Sequence, residues 1–500
     1  MKESAVLRLI HIPVTVSVVL LGLCTACKKE LPVSVPVSIT SFGVTDNKAT
    51  VVVSDSDIFI QMPRGRSLET IVPVFETEPQ DAVLMMEGDT LYSGISTIDL
   101  RTSSTLTVSQ RGGNSRKDYR IWASEFTNLP KIYIQLASGN EVQSKTNMQK
   151  ATFTFEGNGN FENFDRVQVK GMIRGRGNST WGFPKKPYKI RLEHATGIFE
   201  QKAHRDWVLL ANYADKTLIR NLLAFKMSRA MEMPYTPYSQ FVELYLNGVH
   251  QGNYQLTDQI EIGQGRVIAS SIIEMDMRAP EEGIEGVDYF RTDRCPHPWE
   301  IEDLGTSTVA QLKQDMNRAE SVAFGSNFAS ETKGWRTVFD EETLIRWSLI
   351  NELFKNCDAN QCSVYFYQTT PGGKFYKGPV WDFDLGAGNA GHASTCQNPE
   401  GTYVFEGYLI KRLRNDAKFN QRVKEIWAKY RTDIRSIIEH ADDEAESMQL
   451  SIEKNFKRWP VFNDNDWYSV PNLPDNYDGQ LQYMKNFLLS RFQWMDRQFQ

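Results

Sequence analysis

Residues 351–389 read NELFKNCDANQCSVYFYQTTPGGKFYKGPVWDFDLGAGN, and they hold two acidic points in an otherwise aromatic and apolar setting. Asp358 follows the apolar run Leu344–Phe354, and Asp382 and Asp384 sit in WDFDLG. Val364–Gln368 and Lys374–Trp381 read as strands, with Pro371-Gly372-Gly373 supplying the turn between them. The pattern is therefore helix, acidic loop, strand, turn, strand, acidic loop. An acid just before the first strand of a hairpin and an acid just after the second lie at the same end. Asp358 and Asp382 are expected to be neighbours, and paired carboxylates offer hard oxygen ligands to a divalent cation. The competing reading has these acids capping the hairpin and pairing with Arg or Lys.

Protein kinases arrange phosphoryl transfer in this way, with a base Asp after a helix and a hairpin leading to a metal-binding Asp. By that layout Asp358 is the base and Asp382 the metal ligand. The kinase pattern has a metal-binding Asn five residues after the base; here that position is Ser363, whose hydroxyl can also ligate Mg²⁺.

Upstream, Val167–Ile173 reads as a strand that runs into RGRGNSTW at 174–181 and then KKPYKIRL at 185–192. A glycine-rich turn lets backbone N–H groups approach phosphate, and flanking Arg and Lys add charge. Arg176, Lys186 and Lys189 are the candidate nucleotide-binding residues. In 187–192, strand alternation puts Tyr188, Ile190 and Leu192 on one face and Lys189 and Arg191 on the other. Asp215 is placed to cap a helix running through Met231, with Ile219, Leu223, Met227 and Met231 as its core row. Arg220 and Asn221 interrupt that helix and suit either a ligand or solvent. Phe241–Leu246 and Val249–Leu256 flank Asn247-Gly248, the strongest hairpin signal in the chain. Asp258 and Glu261, just beyond it, are second-tier acids.

These motifs occur in an order that resembles the CotH family, named for spore coat protein H, an atypical protein kinase. The resemblance rests on RGRGNSTWGFPKKPYKIRL, WVLLANYADKTLIRNLLAFKMS, VELYLNGVHQGNYQLTDQIEI, NCDANQCSVYFY and GPVWDFDLG. It implies an α+β, divergent protein-kinase-like two-lobed domain that uses ATP with Mg²⁺ or Mn²⁺ to phosphorylate secreted or surface proteins. Asp358 falls on the family's catalytic acid and Asp382 on its metal-binding acid. Lys186 and Lys189 fall on its basic strand. Asp258 stands where this family often has Glu. The alternative is a kinase-like fold serving as a cell-envelope protein- or glycan-binding or assembly module, since fold alone does not fix function.

The 500-residue chain carries a net charge of −6 with 41% hydrophobic residues. That supports globular cores and lacks the basic excess that neutralises nucleic-acid phosphates, so no nucleic-acid partner is expected. Lys2 and Arg8, the apolar Leu9–Leu23 and the run Cys24-Thr25-Ala26-Cys27 resemble a bacterial lipoprotein signal. On that reading residues 1–27 are the signal, Cys27 is lipidated, and the protein sits on the bacterial cell envelope, periplasmic or at the outer-membrane surface. An ordinary cleaved signal or a short anchor is the alternative. In an exported protein, Cys357 or Cys362 is expected to form a disulfide with Cys295 or Cys396. Residues 28–127 show short strands at regular spacing, which suggests a β-sandwich of Ig-like type. Residues 128–500 form the kinase-like domain, completed by helices read at Glu341–Phe354, Ala417–Phe456 and Leu481–Phe499.

Overall fold

The computed structural model describes residues 35–46, 49–62, 66–125, 127–464 and 466–499. Cys27 and the rest of the signal-like segment lie outside these residues. The chain divides into two compact units, with Phe126 ending the first and Thr127 opening the second.

The first unit holds strands β1 (Ser38–Val44), β2 (Thr50–Val53), β3 (Asp57–Met62), β4 (Pro73–Glu78), β5 (Val83–Met86), β6 (Asp89–Thr90), β7 (Ser104–Ser109) and β8 (Arg116–Glu125). β1 pairs with β4, and a six-stranded sheet runs β2-β3-β8-β7-β5-β6. Ile58, Ile60, Leu84, Leu106, Val108 and Ile121 fill one core between them. β3 and β8 pair in parallel, which links the two ends of the unit.

In the second unit, β9 (Lys131–Leu136), β10 (Gln149–Glu156), β11 (Arg166–Gly175), β12 (Tyr188–Thr196), β13 (His204–Leu210), β14 (Ser239–Leu246) and β15 (Val249–Asp258) close into a barrel. The order is β10-β11-β12-β13-β15-β14-β9, and a parallel β9–β14 pair completes it. Strand alternation explains the filling. Tyr188, Ile190 and Leu192 of β12 are buried, while Lys189 and Arg191 face outward. Burial of each large apolar side chain contributes about 1.5–3 kcal/mol. At the β14–β15 turn, Asn247 and Gly248 both have positive φ, 49° and 77°, as a type I′ hairpin requires.

A second sheet of the same unit contains β16 (Ser271–Met275), β17 (Tyr289–Phe290), β18 (Trp299–Asp303), β19 (Val364–Gln368) and β20 (Phe375–Lys377), in the order β17-β18-β16-β19-β20. β20 stops at Lys377, short of the expected Trp381. Gly378 and Pro379 follow, and proline has no N–H for the ladder. The helices are α1 (Arg220–Ala230), α2 (Ala279–Glu282), α3 (Val309–Phe324), α4 (Glu341–Phe354), α5 (Ser394–Gln397), α6 (Tyr408–Leu413), α7 (Ala417–Glu439), α8 (Ala441–Ser447), α9 (Gln449–Arg458) and α10 (Tyr477–Phe499). The long helix read over 417–456 is thus three helices in succession. α1 begins at Arg220, later than an Asp215 cap would give. The Asp215 carboxylate still accepts from the backbone N–H of Arg220 at 2.9 Å, after first closing a turn onto Thr217. Ile219, Leu223, Met227 and Met231 are all fully buried. No helix of the described residues is long and apolar enough to cross a membrane.

One buried ion pair braces the segment that carries Asp358. Arg491 of α10 reaches Glu352 of α4 at 2.7 Å, and both side chains are fully buried. Glu352 also accepts from the backbone N–H groups of Tyr403, Val404 and Phe405. Arg491 donates further to the carbonyls of Pro399 and Gly401. With its hydrogen bonds satisfied the pair is tolerated. Removing one partner alone would strand a buried charge, at a cost of about 3–5 kcal/mol.

The four described cysteines, Cys295, Cys357, Cys362 and Cys396, are free thiols, so the disulfide expected at Cys357 or Cys362 is not formed. Cys295, Cys357 and Cys396 are buried among apolar neighbours and act as small hydrophobes.

Candidate functional site

A cleft of about 560 Å³ opens in the second unit, and it is lined by Asp358, Ser363, Asp382 and Asp384 together with Arg176 and Arg278. Its acidic side is built by two loops. α4 ends at Lys355, which adopts a left-handed conformation (φ 47°) and turns the chain toward Asp358. Asn356 then ties the loops together. Its Nδ2 donates to the Asp382 carbonyl at 3.0 Å, and its Oδ1 accepts from the Asp358 N–H at 3.2 Å. Phe383 packs edge-on against Phe354, with ring centroids 4.9 Å apart. The Phe383 N–H donates to Asn221 Oδ1 of α1 at 2.8 Å, so Asn221 faces the cleft and not solvent.

Ser363 Oγ donates to Asp382 Oδ2 at 3.3 Å. Both residues have positive φ, 55° and 62°, in a region that non-glycine residues rarely occupy. Such outliers persist where the surroundings over-determine them, and they cluster at functional sites.

Burial comes first in raising the carboxyls here. It lifts Asp358 to about 6, with the nearby Asp382 charge adding to the shift. It also lifts Asp382, with Arg176 opposing. Asp384 is 9% exposed and is pushed well above the carboxylate range by burial, then by Asp382 and Asp358. The two carboxyls bear on each other in opposite senses, Asp384 lowering Asp382 and Asp382 raising Asp384.

Among the described residues, no three His, Cys, Asp or Glu side chains form a ready-made metal site. The donor set nonetheless suits Mg²⁺ or Mn²⁺. Two hard carboxylates and a hydroxyl stand in a negative, desolvated pocket. Mg²⁺ commonly takes only one or two carboxylates and draws its other ligands from water and substrate phosphates.

The glycine-rich turn lines the same cleft through Arg176, Gly177, Asn178, Ser179 and Thr180. Gly175 has no room for a side chain, because a Cβ would lie 2.2 Å from the Trp181 ring. Gly177 has φ 79°, and a Cβ there would meet Thr180 Oγ1 at 2.0 Å. Arg176 lies over the Trp381 ring, 5.6 Å from its centroid, and lowers the Asp382 carboxyl.

The three expected basic residues separate. Arg176 lines the cleft, but Lys186 and Lys189 are not among its lining side chains. Lys186 Nζ donates to the Trp181 carbonyl at 2.6 Å and lies over the Trp181 ring. Lys189 lies 4.0 Å from Asp206 and influences Glu302, which does line the cleft. Lys185 is the lysine that points inward. It is 1% exposed, and its Nζ donates to the Ala211 carbonyl and to Asn455 Oδ1, both at 2.8 Å. Asp258 and Glu261 lie elsewhere. Asp258 accepts from Tyr235 Oη and the Tyr238 N–H, and Glu261 pairs with Arg266 at 2.8 Å.

A further acidic wall escaped the sequence reading. Glu274 and Asp276, on and just after β16, and Glu300 and Glu302 of β18 all line the cleft. Glu274 pairs in register with Glu300. Burial, then Glu302, lifts the Glu300 carboxyl to about 7. The signal was present as the alternating acids of WEIED, which also fits a solvated edge strand.

The comparisons with known proteins bear on this body. A comparison with curated proteins finds no match. Among solved structures, the crystal structure of a putative glycoside hydrolase from Bacteroides thetaiotaomicron is similar at 15% identity, over 42% of this chain and 52% of that one. Its TM-score is 0.17, too low to support an argument about fold or activity, and only about half of that chain's length is spanned. The family model described as CotH kinase protein matches residues 173–495, from the end of β11 into α10 and across every cleft-lining residue named above. With well over half of its length matched, and with the two acidic loops inside the match, the chain belongs to the CotH kinase protein family.

Proposed function

We propose that this protein is an ATP- and metal-dependent phosphotransferase that passes the γ-phosphoryl group to Ser or Thr of secreted or surface proteins. The observation that carries the reading is the convergence of Asp358, Asp382 and Asp384 on one cleft, each carboxyl raised by burial. Such crowding suits a site that functions with a bound cation.

In this reading the glycine-rich barrel is one lobe of a divergent kinase-like pair and the sheet-and-helix body is the other. Asp358 accepts the proton of the acceptor hydroxyl. Raised to about 6, it is a stronger base than a free aspartate and is still ionised at neutral pH. Asp382, Ser363 and Asp384 would hold the cation. Arg176 and the turn at 177–180 face the phosphates. Mg²⁺ or Mn²⁺, when bound, would neutralise charge on the phosphate oxygens as the phosphoryl group transfers. The same reading has the protein exported and lipid-anchored to the cell envelope through Cys27, on the strength of the signal-like residues 1–27.

Calorimetry of ATP binding with and without Mn²⁺ tests the reading. Wild-type protein should bind ATP only when metal is present. Asp382→Asn should weaken that binding by about 10- to 100-fold or more, since changes to even the outer shell of a metal site commonly cost that much. Wild-type protein that binds no ATP at millimolar nucleotide and metal would overturn it in favour of a binding or assembly module.

A further inference from the structure

Arg220, at the start of α1, faces neither solvent nor the cleft. Its side chain is fully buried against the equally buried Asp215, with which it forms an ion pair, and it stands outside the cleft lining. The guanidinium spans two segments of chain. Nη1 meets Asp215 and donates to Thr217 Oγ1 at 3.2 Å, while Nε donates to the Gly386 carbonyl at 2.9 Å. Gly386 comes just after Asp384 in the sequence. The neighbours of Arg220 make the same crossing. Asn221 Oδ1 accepts from the Phe383 N–H at 2.8 Å, and Asn389 Nδ2 donates to the Ala214 carbonyl at 2.9 Å and to the Asp384 carbonyl at 2.7 Å. Residues 214–221 therefore hold the loop 382–389 at Phe383, Gly386 and Asn389. That loop needs holding. Asp382 and Ala387 have positive φ, 62° and 50°, and such conformations persist where the surroundings over-determine them. The holding segment is itself fixed, because Tyr477 Oη of α10 donates to the Thr217 carbonyl at 3.1 Å.

We infer that Arg220 is a positioning residue for the metal-binding loop. By tying the Gly386 carbonyl to Asp215 it sets where the Asp382 and Asp384 carboxylates stand, and so how tightly they take a divalent cation. This rests on the phosphotransferase reading of the same cleft. Mg²⁺ demands near-ideal octahedral geometry, so a small shift of the loop is felt as lost affinity. The planar fork of arginine suits the task, since it bonds Asp215 and the Gly386 carbonyl from one rigid group. A lysine keeps the charge but offers a single point on a flexible stem. The two acidic loops thus have separate buried ion pairs, Arg491–Glu352 for Asp358 and Arg220–Asp215 for Asp382 and Asp384.

The test measures Mn²⁺ binding to the full chain by electron paramagnetic resonance for wild type, Arg220→Lys and Asn389→Ala. Label transfer from ATP is followed over a range of Mn²⁺ concentrations. Arg220→Lys should keep its circular dichroism spectrum and weaken Mn²⁺ binding about 10- to 100-fold, the usual cost of altering a group that orients metal ligands. Its transfer rate should fall at low Mn²⁺ and return to within a few-fold of wild type when Mn²⁺ saturates. Asn389→Ala loosens the same loop from its own side and should act in the same direction, which keeps the inference testable if Arg220→Lys does not fold. Wild-type Mn²⁺ affinity in both variants, with affinity lost in Asp382→Asn, would overturn the inference and leave the phosphotransferase reading standing. A transfer loss that excess Mn²⁺ does not restore, in step with a lower Tm, would make Arg220 a structural residue and also overturn it. Wild-type protein that binds neither Mn²⁺ nor ATP would remove both readings.

Discussion

The acids of the cleft, Asp358, Asp382 and Asp384, hang from two loops tied together by Asn356 and pinned by Phe383. The basic residues Arg176, Lys185, Lys186 and Lys189 come from the turn after β11, the segment that leads into β12 and β12 itself, and of these four Arg176 and Lys185 line the cavity. The acids were readable because an aspartate side chain is short, so its carboxylate goes where the backbone goes. A lysine has a four-carbon stem and settles on whichever acceptor lies within reach. Lys185 is drawn inward to the Ala211 carbonyl and Asn455, although its neighbour Lys186 turns to the Trp181 carbonyl. Nothing in the string KKPYK distinguishes the two. Which lysine is buried depends on Asn455, 270 residues away.

Two substitutions sharpen this contrast. The larger effect is expected at Asp384. Its folded carboxyl lies well above the ordinary value of 3.8, so the charged form is what folding penalises. The penalty is absent below pH 3.8 and grows as pH rises through the folded value. Asp384→Asn should therefore raise the Tm by about a few degrees at pH 7 in metal-free buffer, and the gain should shrink toward pH 4. A lower Tm at pH 7, followed by circular dichroism, would mean that the acids are mutually supportive and not crowded. The smaller effect is expected at Lys186. Because its ammonium is occupied at Trp181, Lys186→Ala should change ATP affinity by no more than about 2-fold, a surface-sized effect. A loss of 10-fold or more in calorimetry would bring Lys186 into the cleft and erase the difference between the two lysines.

What could be read from the sequence follows the same division between local and distant causes. Asn247-Gly248 announced its hairpin because both residues accept the positive φ that the turn demands. Glu341–Phe354 was readable as a helix through its apolar run, and Asp340 caps it by accepting from the Thr343 N–H. Barrel closure was not readable. It depends on the parallel β9–β14 pair and on β13 pairing with β15, and neither partner is its neighbour in sequence. At the site, Asp358 and Asp382 were legible as the ends of a hairpin. Asp384 looked like a cap until the fold buried it beside Asp382. The acids of β16 and β18 carry no decisive signal of their own in the sequence, and it is the sheet that sets Glu274 between Tyr365 of β19 and Glu300 of β18.

The central claim is that Asp358 acts on the acceptor hydroxyl while Asp382 serves the nucleotide. The direct measurement is transfer of label from γ-labelled ATP in Mn²⁺ to a generic protein acceptor, with ATP binding followed in parallel. Wild-type protein should transfer label, with a rate that falls as pH drops through about 6, where the Asp358 carboxyl takes up its proton. Asp358→Asn should keep ATP affinity within a few-fold and lose transfer by about 10²-fold or more, as loss of general-base catalysis commonly does. An Asp358→Asn protein that transfers label as fast as wild type, with the same pH profile, would contradict the account.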